Sequence, residues 1–77
     1  MKSEAINVDS ELLAAFGKNL AILRKRHGWS QEKLALESGI ARSYLSGVER
    51  GQRNIALLNI NLLAKTLGIH PSELMNF

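Results

Sequence analysis

Apolar residues along this chain recur at helical spacing, and no stretch shows the apolar–polar alternation of a strand. Leu13, Phe16, Leu20 and Leu23 share one face, which predicts an amphipathic helix running to about His27. Asp9 or Ser10 is the expected cap, and Asp9 and Glu11 suit the positive end of that helix. Residues 1–8 show no pattern and are expected to form a flexible arm, leaving residues 9–77 as a single domain. Gly28 stops the first helix, and Trp29 leads inward beneath the next turn. Ser30 is placed to cap a second helix, with Leu34 and Ala35 on its inner face and Gly39 at its end. Ile40 turns back to the core. A third helix from near Ala41 buries Leu45 and Val48, with Arg42, Ser43, Tyr44, Ser46 and Gly47 on its other faces. The small residues Ala35 and Gly39 suit a close crossing of these two helices.

Residues 51–54 form a polar, turn-rich loop. A fourth helix is expected over about 55–67, with Asn54 a candidate cap and Leu57, Ile60, Leu63, Ala64 and Leu67 as its core face. Gly68 stops it, and Ile69 turns inward. Residues 70–73 then start a short last helix, where Pro71 fits the first helical position and Glu73 can reach back to the preceding amides. The expected fold is all-α, with five helices and no repeats or linkers.

The paired helices over about 30–50 have the form of a helix-turn-helix. An ordinary helical hairpin in a small bundle would show the same punctuation, so the outward residues matter. A length of 77 residues bounds the answer to one domain with a modest core. The chain has no cysteine, which excludes disulfides and thiolate metal sites and is compatible with a reducing cytoplasm. No apolar run reaches the length of a membrane span, and the N-terminus lacks a signal-peptide pattern. A cytoplasmic protein without membrane contact is expected. Net charge is +3, and its placement says more than its size. Between Arg24 and Arg53 seven basic residues face three acidic ones, whereas the rest of the chain is net negative by one. A basic surface around the central helices favours a polyanionic partner, although a solvated face would look similar.

The pattern from Phe16 to Leu74 resembles the Cro/C1-type, or XRE-type, helix-turn-helix domain of bacterial and phage regulators, a compact lambda-repressor-like fold. The resemblance is carried by Leu20, Leu23 and Arg24; by Gly28-Trp29-Ser30-Gln31-Glu32-Lys33-Leu34-Ala35; and by Ser38-Gly39-Ile40 with Tyr44-Leu45-Ser46. Glu49-Arg50-Gly51, Arg53-Asn54 and Ala64 with Leu67-Gly68 continue it. Among family members, the small size and Arg42-Ser43-Tyr44-Leu45-Ser46 resemble the controller proteins of restriction–modification systems. That likeness implies a homodimer acting on its own operator as activator and repressor. The implied partner is double-stranded operator DNA, with RNA polymerase a further candidate, and no cofactor or metal is expected.

Residue roles follow from this resemblance together with the chemistry of each side chain. Arg42, Ser43 and Tyr44 open the helix that would enter the major groove, and Arg42 can donate two hydrogen bonds to a guanine edge. Gln31, Ser46, Gln52, Arg53 and Asn54 would hold the DNA backbone. The alternative for Tyr44 is partial core packing with an exposed hydroxyl, and for Arg42 a solvated charge. Arg24 and Glu49 fall at family positions that pair internally, tying the first helix to the third. The chain departs from the family at Ile55-Ala56, where Pro-Ser is common, and carries unusual exposed apolar residues at Ile22, Leu58 and Leu62. Leu58, Leu62, Ile69, Met75 and Phe77 could form a self-complementary dimer patch. Two recognition helices would then need half-sites roughly 34 Å apart.

An enzyme is not expected: His27 and His70 are far apart, and no catalytic triad order, phosphate loop or metal-ligand cluster appears. The rivals are an antitoxin of the same fold and a phage-type repressor.

Overall fold

A computed structural model describes residues 2–77, with side chains described from residue 9 onward; Met1 lies outside the described residues. Five α-helices follow in order: α1 (Lys2–Arg26), α2 (Gln31–Ser38), α3 (Arg42–Glu49), α4 (Leu57–Leu67) and α5 (Pro71–Leu74). There is no strand among the described residues. Phe16 and Leu20 of α1, Leu34 of α2, Leu45 and Val48 of α3, Leu63, Ala64 and Leu67 of α4, and Leu74 of α5 form one buried core. Every helix therefore contributes to a single apolar cluster, and the short helices are held by it more than by their own propensity. Leu23, Trp29, Ile40, Tyr44, Ile60 and Ile69 pack around its edge.

The punctuation of α2 and α3 is local chemistry. The Ser30 hydroxyl accepts from the Lys33 amide at 3.0 Å and caps α2. Gly39 ends that helix with φ +78°, and its amide donates to the Ala35 carbonyl. A Cβ on Gly39 would meet nothing within 4 Å, so this glycine answers to backbone conformation and does not serve the close helix crossing expected of it. The close approach lies elsewhere. A Cβ on Gly17 would sit 2.3 Å from the Val48 carbonyl oxygen, so glycine lets α1 press against the C-terminal turn of α3.

Helix starts differ from the sequence expectation in two places. The α1 helix begins at Lys2, so residues 2–8 have helical backbone, and Asp9 and Ser10 lie inside the helix instead of capping it. No glycine or proline interrupts that segment, and a helix continues N-terminally until something stops it. The α4 helix begins at Leu57, with Ala56 in extended conformation as its N-cap and no side-chain cap bond. The Asn54 side-chain oxygen accepts from the adjacent Ile55 amide and caps no helix. The first turn of α4 projects past the core, and Leu57 is 80% exposed although it shares the apolar period.

At the other end, the Glu73 carboxylate accepts from the His70 amide at 3.1 Å, closing the first turn of α5. The Asn19 amide donates to the Glu73 and Leu74 carbonyls at 2.8 and 2.9 Å. An α1 side chain thus satisfies the open end of α5, a link that spacing along the chain does not reveal.

Candidate nucleic-acid interface

The α3 helix has one face in the core and one in solvent. Leu45 and Val48 are fully or almost fully buried, while Arg42 and Ser43 of the first turn are exposed. A helix anchored on one side presents the other as a rigid edge.

Its orientation is set by a polar network behind it. Arg24 Nε and Nη2 donate to Glu49 Oε2 and Oε1 at 2.7 and 2.9 Å, a two-pronged pair. Arg24 Nη1 donates to the Trp29 carbonyl at 2.8 Å. Gln31 Nε2 donates to Glu49 Oε1 at 2.8 Å. One buried guanidinium and one buried carboxylate therefore join the end of α1, the turn before α2, the start of α2 and the end of α3. The hydrogen bond to Glu49 raises the Arg24 pKa above its ordinary value; burial opposes this, and the nearby negative charge adds to it. Arg24 is thereby set apart from Lys25 and Arg26, which remain exposed in the last turn of α1.

The residues expected at the DNA surface divide into two groups. Arg42, Ser43, Gln52, Arg53 and Asn54 are exposed, and Ser46 is half-buried. Tyr44 and Gln31 are committed internally. The Tyr44 ring lies against the core edge, and its hydroxyl donates to the Asn54 carbonyl at 3.0 Å, tying α3 to the loop before α4. Gln31 spends one amide hydrogen on Glu49 and keeps the second. Of the expected dimer residues, Leu58, Leu62, Met75 and Phe77 are exposed, at 80, 37, 48 and 54%. Ile69 is half-buried and packs against the core after the Gly68 stop.

Two features escape pattern reading. The side chain of His27 meets Trp29 edge-on at 4.3 Å, and the Lys33 ammonium lies 5.7 Å from that ring, so the turn before α2 is bracketed by its neighbours. Gly47, expected on an outer face, is buried, because the Arg53 stem crosses it. No sequence period signals that contact.

No group of three or more His, Cys, Asp or Glu among the described residues is placed to hold a metal ion, and no helix among them is long and apolar enough to cross a membrane.

The helix-turn-helix family HTH_3 matches residues 20–74, from within α1 to the end of α5. The chain belongs to that family. Within it, the chain is 43% identical over 63 residues to the control protein C.BamHI of Bacillus amyloliquefaciens, covering 80% of this chain and 78% of the relative. Its structure is similar to the restriction–modification controller protein C.AhdI of Aeromonas hydrophila, with TM-score 0.78 and 56% identity over 80% of this chain and 94% of that one. It is also similar to the controller protein C.Esp1396I, crystallised as a tetramer with its natural 35 base-pair operator, at TM-score 0.71 and 29% identity over 84% and 96% of the two chains. The chain is also 38% identical over 61 residues to the HTH-type transcriptional regulator SlrR of Bacillus subtilis, covering 78% of this chain and 40% of that one.

Proposed function

We propose that this protein is a sequence-specific, double-stranded-DNA-binding transcriptional regulator of the restriction–modification controller type, acting on its own operator. The observation that carries the proposal is the exposed Arg42–Ser43 pair on the first turn of a helix whose other face is fixed in the core. In this reading α3 enters the major groove with Arg42 donating to guanine O6 and N7 and Ser43 meeting a neighbouring base edge. Ser46, Gln52, Arg53 and Asn54 hold the phosphate backbone, and the spare Gln31 hydrogen joins the α2 amides at another phosphate. Tyr44 sets the angle of α3 through Asn54 and has its hydroxyl oxygen left as an acceptor.

The protein acts as a homodimer in this reading, with Leu58, Leu62, Met75 and Phe77 at the contact, so that two α3 helices read two half-sites. The relatives named as controller proteins, and the operator-bound tetramer of one of them, support this assignment.

The test is fluorescence anisotropy on a labelled duplex carrying the DNA upstream of this gene, against a scrambled duplex, over a series of salt concentrations. Tight binding to the upstream duplex and weaker, steeply salt-dependent binding to the scrambled one are expected. Equal binding to both would contradict operator recognition.

A further inference from the structure

Gly47 sits in the interior of the eight-residue helix α3, where glycine is a poor choice. Its backbone does not require it, since Gly47 is not among the glycines with positive φ. What requires it is Arg53. A Cβ built on Gly47 would lie 2.6 Å from Arg53 Cγ and 3.4 Å from both Cδ and Nε. Three consecutive atoms of the arginine stem thus run over the position where a side chain would stand. The end of α3 delivers Arg53 there: the Gly51 amide donates to the Val48 carbonyl at 3.0 Å and the Gln52 amide to the Gly47 carbonyl at 2.9 Å, turning the chain back across the helix. Ser43 lies four residues before Gly47, on the same face of α3. The Arg53 stem therefore crosses the face that carries a proposed base-reading residue. No acidic side chain among the described residues pairs with its guanidinium.

We propose that Gly47 is a positioning residue: its missing side chain forms a groove across α3 that holds Arg53 in place for a DNA phosphate. This rests on the reading of Arg53 as a backbone contact. A long side chain ordered before binding loses less freedom on binding, so the groove supplies both direction and preorganisation. Alanine at position 47 would displace Cγ, near the root of the side chain, and the whole stem would have to swing away.

The experiment compares wild type, Gly47→Ala, Arg53→Ala and the double variant by anisotropy on the labelled upstream duplex between 50 and 200 mM salt, with thermal melting of each. Arg53→Ala weakens binding roughly tenfold per half-site and lowers the slope of log K against log salt by about 1.8 for the bound dimer, the share of two phosphates. Gly47→Ala reproduces both effects with its arginine intact, and in the Arg53→Ala background it adds nothing. Melting of Gly47→Ala stays at or above wild type; if it falls, the double variant must recover it, because the clash is with the Arg53 stem. Wild-type affinity in Gly47→Ala, or losses that add in the double variant, would overturn the positioning role while leaving Arg53 a phosphate contact. Wild-type affinity in Arg53→Ala would remove that assignment and the proposal with it.

Discussion

Glu49 accepts from Arg24 twice and from Gln31 once, with its side chain only 6% exposed. Removing its carboxylate strands a buried guanidinium. Glu49→Ala is therefore expected to lose about 3 kcal/mol in urea unfolding. Replacing both partners, as Arg24→Met with Glu49→Leu, should recover most of that loss, because desolvation offsets much of what the pair contributes. A loss below about 1 kcal/mol in Glu49→Ala would contradict the network's role. The sign of the Arg24 shift sets a pH expectation. A raised folded pKa contributes stability that is complete below the unfolded value and is lost only as pH rises through the folded one. For an arginine that window is strongly alkaline, so Arg24 adds no slope to stability between about pH 6 and pH 9. Unfolding of wild type against the double variant Arg24→Met with Glu49→Leu, which leaves no stranded carboxylate, should give the same difference at both ends of that range.

At the scale of elements, the tightest joint is between α1 and α3. Gly17→Ala would drive a Cβ into the Val48 and Glu49 carbonyl oxygens at 2.3 and 2.6 Å, and backbone cannot give as a side chain can. This substitution is expected to cost about 2 kcal/mol by thermal unfolding, although alanine is the better helix former. Gly39→Ala, with φ +78° and open space around it, is expected to cost about 1 kcal/mol, from backbone strain alone. Equal effects would contradict the distinction. The two glycines also mark what a sequence can express. Gly39 follows a capped apolar segment and ends a helix, so residues 30–50 read correctly from punctuation. Gly17 and Gly47 lie within helices; what presses on Gly17 comes from the far end of α3, and what passes over Gly47 is folded back by the turn that follows that helix. The starts of α1 and α4 were misplaced for a related reason. Asp9 and Ser10 look like caps but are tolerated inside a helix, and Ile55-Ala56 carries no capping side chain at all. In the site, the exposed ends of Arg42 and Ser43 were legible from position. Partial core packing of Tyr44 was legible too, but the bonds of its hydroxyl to Asn54 and of Gln31 to Glu49 were not, because each depends on a partner brought in by the fold.

For the whole molecule, the exposed leucines of α4 and the apolar C-terminal residues bear on assembly. Leu58 stands 80% exposed and makes little of the monomer's core, so Leu58→Lys with Leu62→Lys should leave helix content unchanged. Sedimentation at micromolar concentration is expected to give a dimer for wild type and a monomer for that double variant. A monomeric wild type would contradict the paired-half-site arrangement. In the proposed reading, α3 recognises sequence through Arg42. The most direct measurement is the ratio of affinities for the upstream and scrambled duplexes, in wild type and Arg42→Ala, at one fixed salt concentration. Arg42→Ala is expected to lose about 1–3 kcal/mol of discrimination per half-site while its binding to the scrambled duplex changes far less. A ratio unchanged by the substitution would contradict it.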